Sequence, residues 1–179
     1  MPRIKLLEDA ALPPETLAQV KALEAAGRDT ALTRGLANAP TFFKNYFSFY
    51  LPARQGHSLD EALIELVRLK VARLNDCFTC LNARLLQVAE GETPKLTEAK
   101  ISELDASSNS FSHEERLALE YAERLANDHH SMDDAFFDRM RTGFTDEQIL
   151  ELGMMIGQFI GFGRLLAALD LEPKVCDVP

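Results

Sequence analysis

The chain has 179 residues, 46% of them hydrophobic and 26% charged, so it is long and apolar enough to fold around a buried core. Its 19 basic and 28 acidic residues give a formal net charge of −9, which disfavours binding to nucleic acid or an anionic membrane. Three cysteines are too few, and odd in number, for a disulfide-stapled secreted domain, and we see no apolar run of the roughly 20 residues that span a bilayer. We therefore expect a single cytoplasmic domain, 1–179, that ends in a flexible tail, 173–179.

The first predicted elements are all helices. One follows a Pro-Pro pair and ends at Gly27, a short one covers 31–36, and a third, rich in Phe and Tyr, runs from Pro40 to about Pro52. Because aromatic side chains cover most of the circumference of the third helix, we expect it to be buried in the core or in a subunit contact.

Three later helices begin with the spacing of a capping box, in which a Ser or Thr is followed three residues later by Glu or Gln. The pairs are Ser58 with Glu61, Ser112 with Glu115, and Thr145 with Gln148. A shorter helix is predicted to follow Ser131, and residues 105–110 form the longest predicted loop. The fold class is all-α, a compact multi-helix bundle.

The last helix and the helix that starts near Ser58 resemble each other over 60–66 and 146–152. In this weak repeat Glu151 corresponds to Glu65. The apolar cluster of the last helix is expected to pack in the core rather than to bind a cofactor. It consists of Met154, Met155, Phe159, Ile160 and Phe162.

Cys77 and Cys80 form a C-x-x-C pair at the predicted start of another helix, for which Asn75 or Asp76 is a suitable N-cap. Backbone N–H groups at a helix start stabilise a thiolate, and residues three apart lie on one face, within reach of a disulfide. A cysteine pair that ionises easily and can close to a disulfide is suited to thiol–disulfide exchange. A zinc site would need about four ligands and a haem attachment would need a His after the second cysteine, so we predict neither a metal nor another cofactor.

The stretch from Glu65 to Cys80 resembles the alkylhydroperoxidase D group of the carboxymuconolactone decarboxylase superfamily, whose signature is a glutamate, eleven residues and then a C-x-x-C. The resemblance covers roughly residues 30–172, and within the family the chain resembles the longer, peroxidase-related members. It implies an all-helical fold that assembles into homo-oligomers. It also implies a peroxidase or disulfide reductase activity on a small hydroperoxide or disulfide, with a dithiol as reductant and Glu65 in a proton relay with the cysteines.

Two positions differ from the family pattern. Well-studied members have histidines where this chain has Thr79 and Arg84. Arg84 is one turn beyond Cys80 and could stabilise its thiolate, but an arginine does not shuttle protons at neutral pH. A histidine from elsewhere, His129 or His130, is the other candidate for an auxiliary role.

Two other functions stay open at this point. One is a decarboxylase or isomerase on the same scaffold, against which the cysteine pair argues. The other is a non-catalytic helical oligomer whose C-x-x-C senses redox conditions.

Overall fold

The structure is a computed structural model, and it describes residues 1–82 and 98–172. Two predictions lie outside these residues: the auxiliary role of Arg84 and the flexible tail, 173–179.

Every regular element in the described part of the chain is a helix and none is a strand, which confirms the all-α prediction. Nine α-helices are described: α1 Pro14–Ala25, α2 Ala31–Leu36, α3 Pro40–Ala53, α4 Glu61–Leu74, α5 Phe78–Asn82, α6 Glu98–Glu103, α7 His113–Asn127, α8 Asp134–Met140 and α9 Asp146–Ala168. One-turn 3-10 helices lie at Asp9–Ala11 and His129–Ser131.

The chain divides into two compact units. The first is Met1–Leu51 with Arg164–Pro179, and the second is Pro52–Gly163. The single domain expected from the sequence stays a prediction.

In the first unit, the two ends of the chain meet. The backbone N–H of Arg3 donates to the carbonyl of Leu169 at 2.9 Å. Leu171 is fully buried against Gly35, where a Cβ would lie 2.8 Å from a Leu171 methyl group. Arg34 adds a polar connection, since its guanidinium bonds to Asp9 and Glu24 at 2.7 Å each.

In the second unit, α4 packs against α7. A buried apolar cluster joins these two helices to α6 and to the loop before α7. It consists of Leu66, Leu69, Ile101, Leu104, Phe111 and Leu119. Polar groups on α4 also reach across: the Lys70 ammonium bonds to the Leu104 carbonyl at 3.1 Å. The Arg73 guanidinium bonds to the carbonyls of Ile101, Ser102 and Glu103, the last turn of α6, which satisfies acceptors that a helix end leaves open. These contacts hold α4, which carries the candidate site.

Two of the three predicted capping boxes are confirmed. Ser112 and Glu115 make both hydrogen bonds of the motif, and so do Thr145 and Gln148. The third prediction is wrong, because Asp60 caps α4 by accepting from the Ala62 N–H.

Helix α9 differs most from expectation. Met155 and Phe159 are buried as predicted, but Met154 is 53% exposed. The expectation that no apolar run is long enough to span a bilayer is wrong for α9. By length and composition alone, this helix could cross a membrane, although the core helices of soluble proteins pass the same test. The cytoplasmic location stays a prediction.

Candidate redox site at Cys77 and Cys80

The end of α4 places Cys77. The N–H of Asp76 donates to the Arg73 carbonyl and the N–H of Cys77 donates to the Ala72 carbonyl, the two hydrogen bonds of a Schellman motif. Asp76 has a φ of 53°, in the left-handed region that such a motif requires and that Asp tolerates better than most residues. The chain therefore reverses immediately before the first cysteine.

Cys77 itself is the N-cap of α5. Its carbonyl accepts the first helical hydrogen bond, from Leu81, and its sulfur accepts the N–H of Cys80 at 3.2 Å. The sulfur thus has the place that a Ser or Asp oxygen takes in an ordinary N-cap. The prediction that Asn75 or Asp76 caps this helix is wrong, because both residues belong to the turn that ends α4.

A disulfide joins Cys77 and Cys80, whose Cα atoms are 5.3 Å apart. Their surroundings differ: Cys77 is 3% exposed, whereas Cys80 is partly exposed. A molecule arriving from solvent therefore meets the second cysteine more readily than the first.

Glu65 is buried, with 4% of its surface exposed, as its position on the inward face of α4 predicts. Its carboxylate pairs with Arg68, one turn along, through Nε at 2.6 Å and Nη2 at 2.8 Å. The remaining amino group of Arg68 donates to the carbonyl of Cys80 at 2.7 Å. One buried guanidinium therefore joins the glutamate to the backbone of the cysteine pair.

The residues considered for an auxiliary role lie at different distances along the chain from the cysteine pair. Thr79 lies between the cysteines on α5 and is partly exposed. His129 and His130 are exposed in the turn after α7, with their rings 4.0 Å apart, and within 1–82 and 98–172 neither makes a hydrogen bond to Glu65, Cys77 or Cys80. The structure thus links Glu65 to the backbone of Cys80 through Arg68, and within 1–82 and 98–172 no hydrogen bond links either histidine to these residues.

Reasoning from the sequence missed Arg68. The signal was present, because Glu65 and Arg68 are three residues apart on a helix that is otherwise apolar on that side. A charge at such a position is buried only with a partner, so the pair was predictable from its spacing.

Glu151, the counterpart of Glu65 in the weak repeat, has a different role. Its carboxylate accepts the backbone N–H groups of His57 and Ser58, both at 2.9 Å, and the Ser58 hydroxyl at 2.6 Å. Burial raises the pKa of Glu151, but these hydrogen bonds outweigh it and leave the pKa below its ordinary value. Glu151 is therefore a structural carboxylate, and the repeat does not extend to the site.

The arrangement is suited to sulfur chemistry. The Cys80 N–H points at the Cys77 sulfur and would stabilise a negative charge there when the disulfide opens. A carboxylate can accept and return a proton in such chemistry, and that of Glu65 is linked to the Cys80 backbone through Arg68.

Comparison with known proteins agrees with this picture. No family model matches the sequence. The uncharacterised protein YnjA of Escherichia coli (strain K12) is 32% identical over 144 residues, covering 74% of this chain and 77% of YnjA.

Two solved structures are similar over nearly the whole chain. An uncharacterised peroxidase-related protein from Ralstonia eutropha JMP134, with an alkylhydroperoxidase AhpD core, matches with a TM-score of 0.69 and 20% identity, covering 97% of this chain and 93% of its own. An uncharacterised peroxidase-related protein from Silicibacter sp. TM1040 matches with a TM-score of 0.68 and 20% identity, covering 97% of this chain and 92% of its own. The chain therefore belongs to the same family as YnjA, and its fold is that of the solved structure with an alkylhydroperoxidase AhpD core.

Proposed function

We propose that this protein is a peroxidase-like thiol–disulfide oxidoreductase that cycles between a Cys77/Cys80 dithiol and the disulfide, on a small hydroperoxide or disulfide substrate. The observation that carries the proposal is the cysteine pair at disulfide distance, with the Cys77 sulfur accepting a backbone N–H and with Arg68 joining Glu65 to the Cys80 carbonyl.

The difference in exposure supports Cys80 as the attacking sulfur and Cys77 as the resolving sulfur. In the oxidising half, the Cys80 thiolate attacks the outer oxygen of a hydroperoxide, the O–O bond breaks, and the alkoxide leaves as an alcohol after taking a proton. Cys80 is then a sulfenic acid, which the Cys77 thiolate attacks to release water and form the disulfide. With a disulfide substrate, Cys80 forms a mixed disulfide that Cys77 resolves in the same way.

In the reducing half, a cellular dithiol attacks the Cys80 sulfur and Cys77 leaves as a thiolate. The N–H of Cys80, 3.2 Å from that sulfur in the disulfide form, favours this leaving group. The second thiol of the dithiol then frees Cys80, so two electrons and two protons pass to this protein. A cytoplasmic location would suit the reaction, since dithiols are kept reduced there.

Glu65 is proposed to carry the proton. Its two carboxylate oxygens accept hydrogen bonds from Arg68, which holds the group in place. In this proposal Glu65 takes the proton from a thiol and passes it to the leaving alkoxide.

The test is a thiol titration. Reduced protein is freed of reductant and mixed anaerobically with substoichiometric cumene hydroperoxide or hydroxyethyl disulfide, and the cysteines are mapped by mass spectrometry. Each molecule of oxidant consumed should remove two thiols and give one Cys77–Cys80 disulfide, in wild type and in Cys176→Ser alike. With cumene hydroperoxide, the Cys77→Ser variant should stop at a Cys80 sulfenic acid, which dimedone traps. With hydroxyethyl disulfide, it should stop at a mixed disulfide on Cys80. Two free thiols after both oxidants would overturn the proposal.

Glu65→Gln should slow the oxidation about 100-fold or more, the usual contribution of a positioned acid–base group. Glu61→Gln is the matched control, because Glu61 is an exposed carboxylate one turn earlier on α4. An equal effect of the two substitutions would remove Glu65 from the mechanism.

A further inference from the structure

A cavity of about 540 Å³ lies among α1, α2 and α3, and all of its lining residues belong to the first unit. The apolar side chains that line it come from α2 and α3 and are Leu32, Leu36, Ala37, Phe43, Phe47 and Leu51. None of these residues belongs to the candidate redox site. A largely apolar cavity of this volume is typical of sites that bind small molecules, which range over roughly 300–1,000 Å³.

The cavity is elongated along α3. The lining residues of α3 recur at helical spacing from Pro40 to Leu51, so they lie along one side of about 16 Å of helix. The rings of Phe43 and Phe47, with centroids 6.0 Å apart, form an aromatic wall along this side. A peptide helix of the same length would need roughly twice the volume of the cavity or more. The space therefore suits an extended hydrocarbon chain.

The charges at the cavity favour an anion. Its charged lining residues in the described part of the chain are Glu15 and Lys44, both exposed. Glu15 is in the first turn of α1, where the N–H groups of the helix start offset part of its negative charge. Lys44 is the only charged residue of α3, and within 1–82 and 98–172 its ammonium makes no ion pair. An anionic group on the bound molecule would supply the partner.

We propose that the cavity binds an unbranched, medium-chain carboxylic acid. The hydrocarbon chain lies along Phe43 and Phe47, where it is removed from water, and the carboxylate pairs with the Lys44 ammonium. A second copy of the chain or a peptide segment is the competing occupant, and either would close the cavity to a carboxylic acid. The proposal does not depend on the redox function, so each can fail without the other.

The test is isothermal titration calorimetry of the full chain with decanoate, octanoate and octan-1-ol. Decanoate should bind saturably, one molecule per chain, and about ten-fold more tightly than octanoate, because each buried methylene contributes about three-fold in affinity. Lys44→Met should weaken decanoate about three-fold or more and leave octan-1-ol unchanged, since only the carboxylate pairs with the ammonium. Lys5→Met, at an exposed lysine of the first unit outside the cavity lining, should leave the binding of both unchanged.

A blocking substitution locates the site. Ser48→Trp places a large ring in the cavity and should weaken decanoate binding about ten-fold or more, whereas Asn45→Trp, on α3 but outside the lining, should not. Circular dichroism should be the same for all variants, which separates a blocked cavity from a lost fold.

Three results would each overturn the proposal. One is a wild-type protein that shows no saturable binding of decanoate. Another is a Lys44→Met variant that binds decanoate like wild type or loses octan-1-ol to the same extent. The third is an equal loss of affinity in Ser48→Trp and Asn45→Trp.

Discussion

At the scale of single residues, Arg68 determines how the site is held. The residue is 7% exposed, and its guanidinium bonds to both oxygens of Glu65 and to the Cys80 carbonyl. A bidentate pair of this kind is sensitive to geometry, and a lysine does not reproduce it. Breaking a buried pair by removing one partner leaves the other charge without compensation, which is far more costly than losing both.

We predict that Arg68→Met shifts the Cys77/Cys80 equilibrium toward the disulfide. The substitution removes a positive charge that bonds to the Cys80 carbonyl and would favour a thiolate in the reduced form, so the reduction potential becomes more negative. Equilibration in glutathione buffers, with the two forms separated by alkylation, measures the shift. The unfolding free energy should also fall, by about 3–5 kcal/mol.

Two further variants separate the electrostatic effect from the structural one. Arg68→Lys should restore part of the potential, and Glu65→Gln with Arg68→Met should recover much of the stability. A purely structural Arg68 would lower stability and leave the dithiol–disulfide equilibrium where it is.

At the scale of elements, Glu151 connects α9 to the segment before α4. Its carboxylate accepts three hydrogen bonds from His57 and Ser58, and Gln148 on the same helix donates to the Ser58 carbonyl at 2.9 Å. Gly56 makes the tight turn possible, because its φ is 75° and a Cβ there would lie 2.3 Å from the Leu59 carbonyl oxygen. The start of α4 is therefore set by groups on another helix as well as by its own cap.

We predict that Glu151→Gln lowers stability in a pH-dependent manner. The hydrogen bonds hold the pKa of Glu151 in the folded state below its ordinary value of about 4.5, so its contribution is fully present above that value. It is lost as the pH falls through the lowered pKa of the folded state. Urea unfolding between pH 7 and pH 3 should show a difference between variant and wild type that is largest near neutrality and smallest at the acid end.

Glu8→Gln serves as the control, because Glu8 is an exposed carboxylate in the first unit. A Glu151→Gln deficit that stays constant over the whole pH range would show that ionisation of this carboxylate does not contribute.

At the scale of the whole molecule, the first unit depends on both ends of the chain. Leu171 is completely buried against Gly35, and Arg3 pairs through its backbone with Leu169. Residues 1–51 therefore bury part of their apolar surface only after the last helix has been made. The candidate site is carried by α4 and α5, within the second unit.

We predict that Leu171→Ala lowers the unfolding free energy by about 2–5 kcal/mol, the range for a truncated buried leucine. Hydrogen exchange should rise most in 1–51, and the rate at which dithiothreitol reduces the Cys77–Cys80 disulfide should change less than two-fold. Leu165→Ala, which truncates a leucine that is 43% exposed, should change stability by no more than about 0.5 kcal/mol. An equal rise of exchange in 52–163 would contradict this localisation.

The sequence by itself determined the features that arise within a few residues of chain. Helix bounds near Gly27, Pro40 and Pro52, and the capping boxes at Ser112 and Thr145, follow from local backbone preferences and local hydrogen bonds. The inward position of Glu65 and the disulfide reach of Cys77 and Cys80 follow from helical spacing in the same way.

Only the tertiary structure decided which group each polar side chain contacts and which apolar residues stay exposed. Ser58 has the spacing of a cap, but Glu151, distant in sequence, takes its hydroxyl and leaves the capping to Asp60. Met154 has the same hydrophobicity as Met155, yet one is exposed and the other buried, because they lie about 100° apart on α9. Burial and partner choice depend on residues far apart in the chain, which periodicity within one helix does not encode.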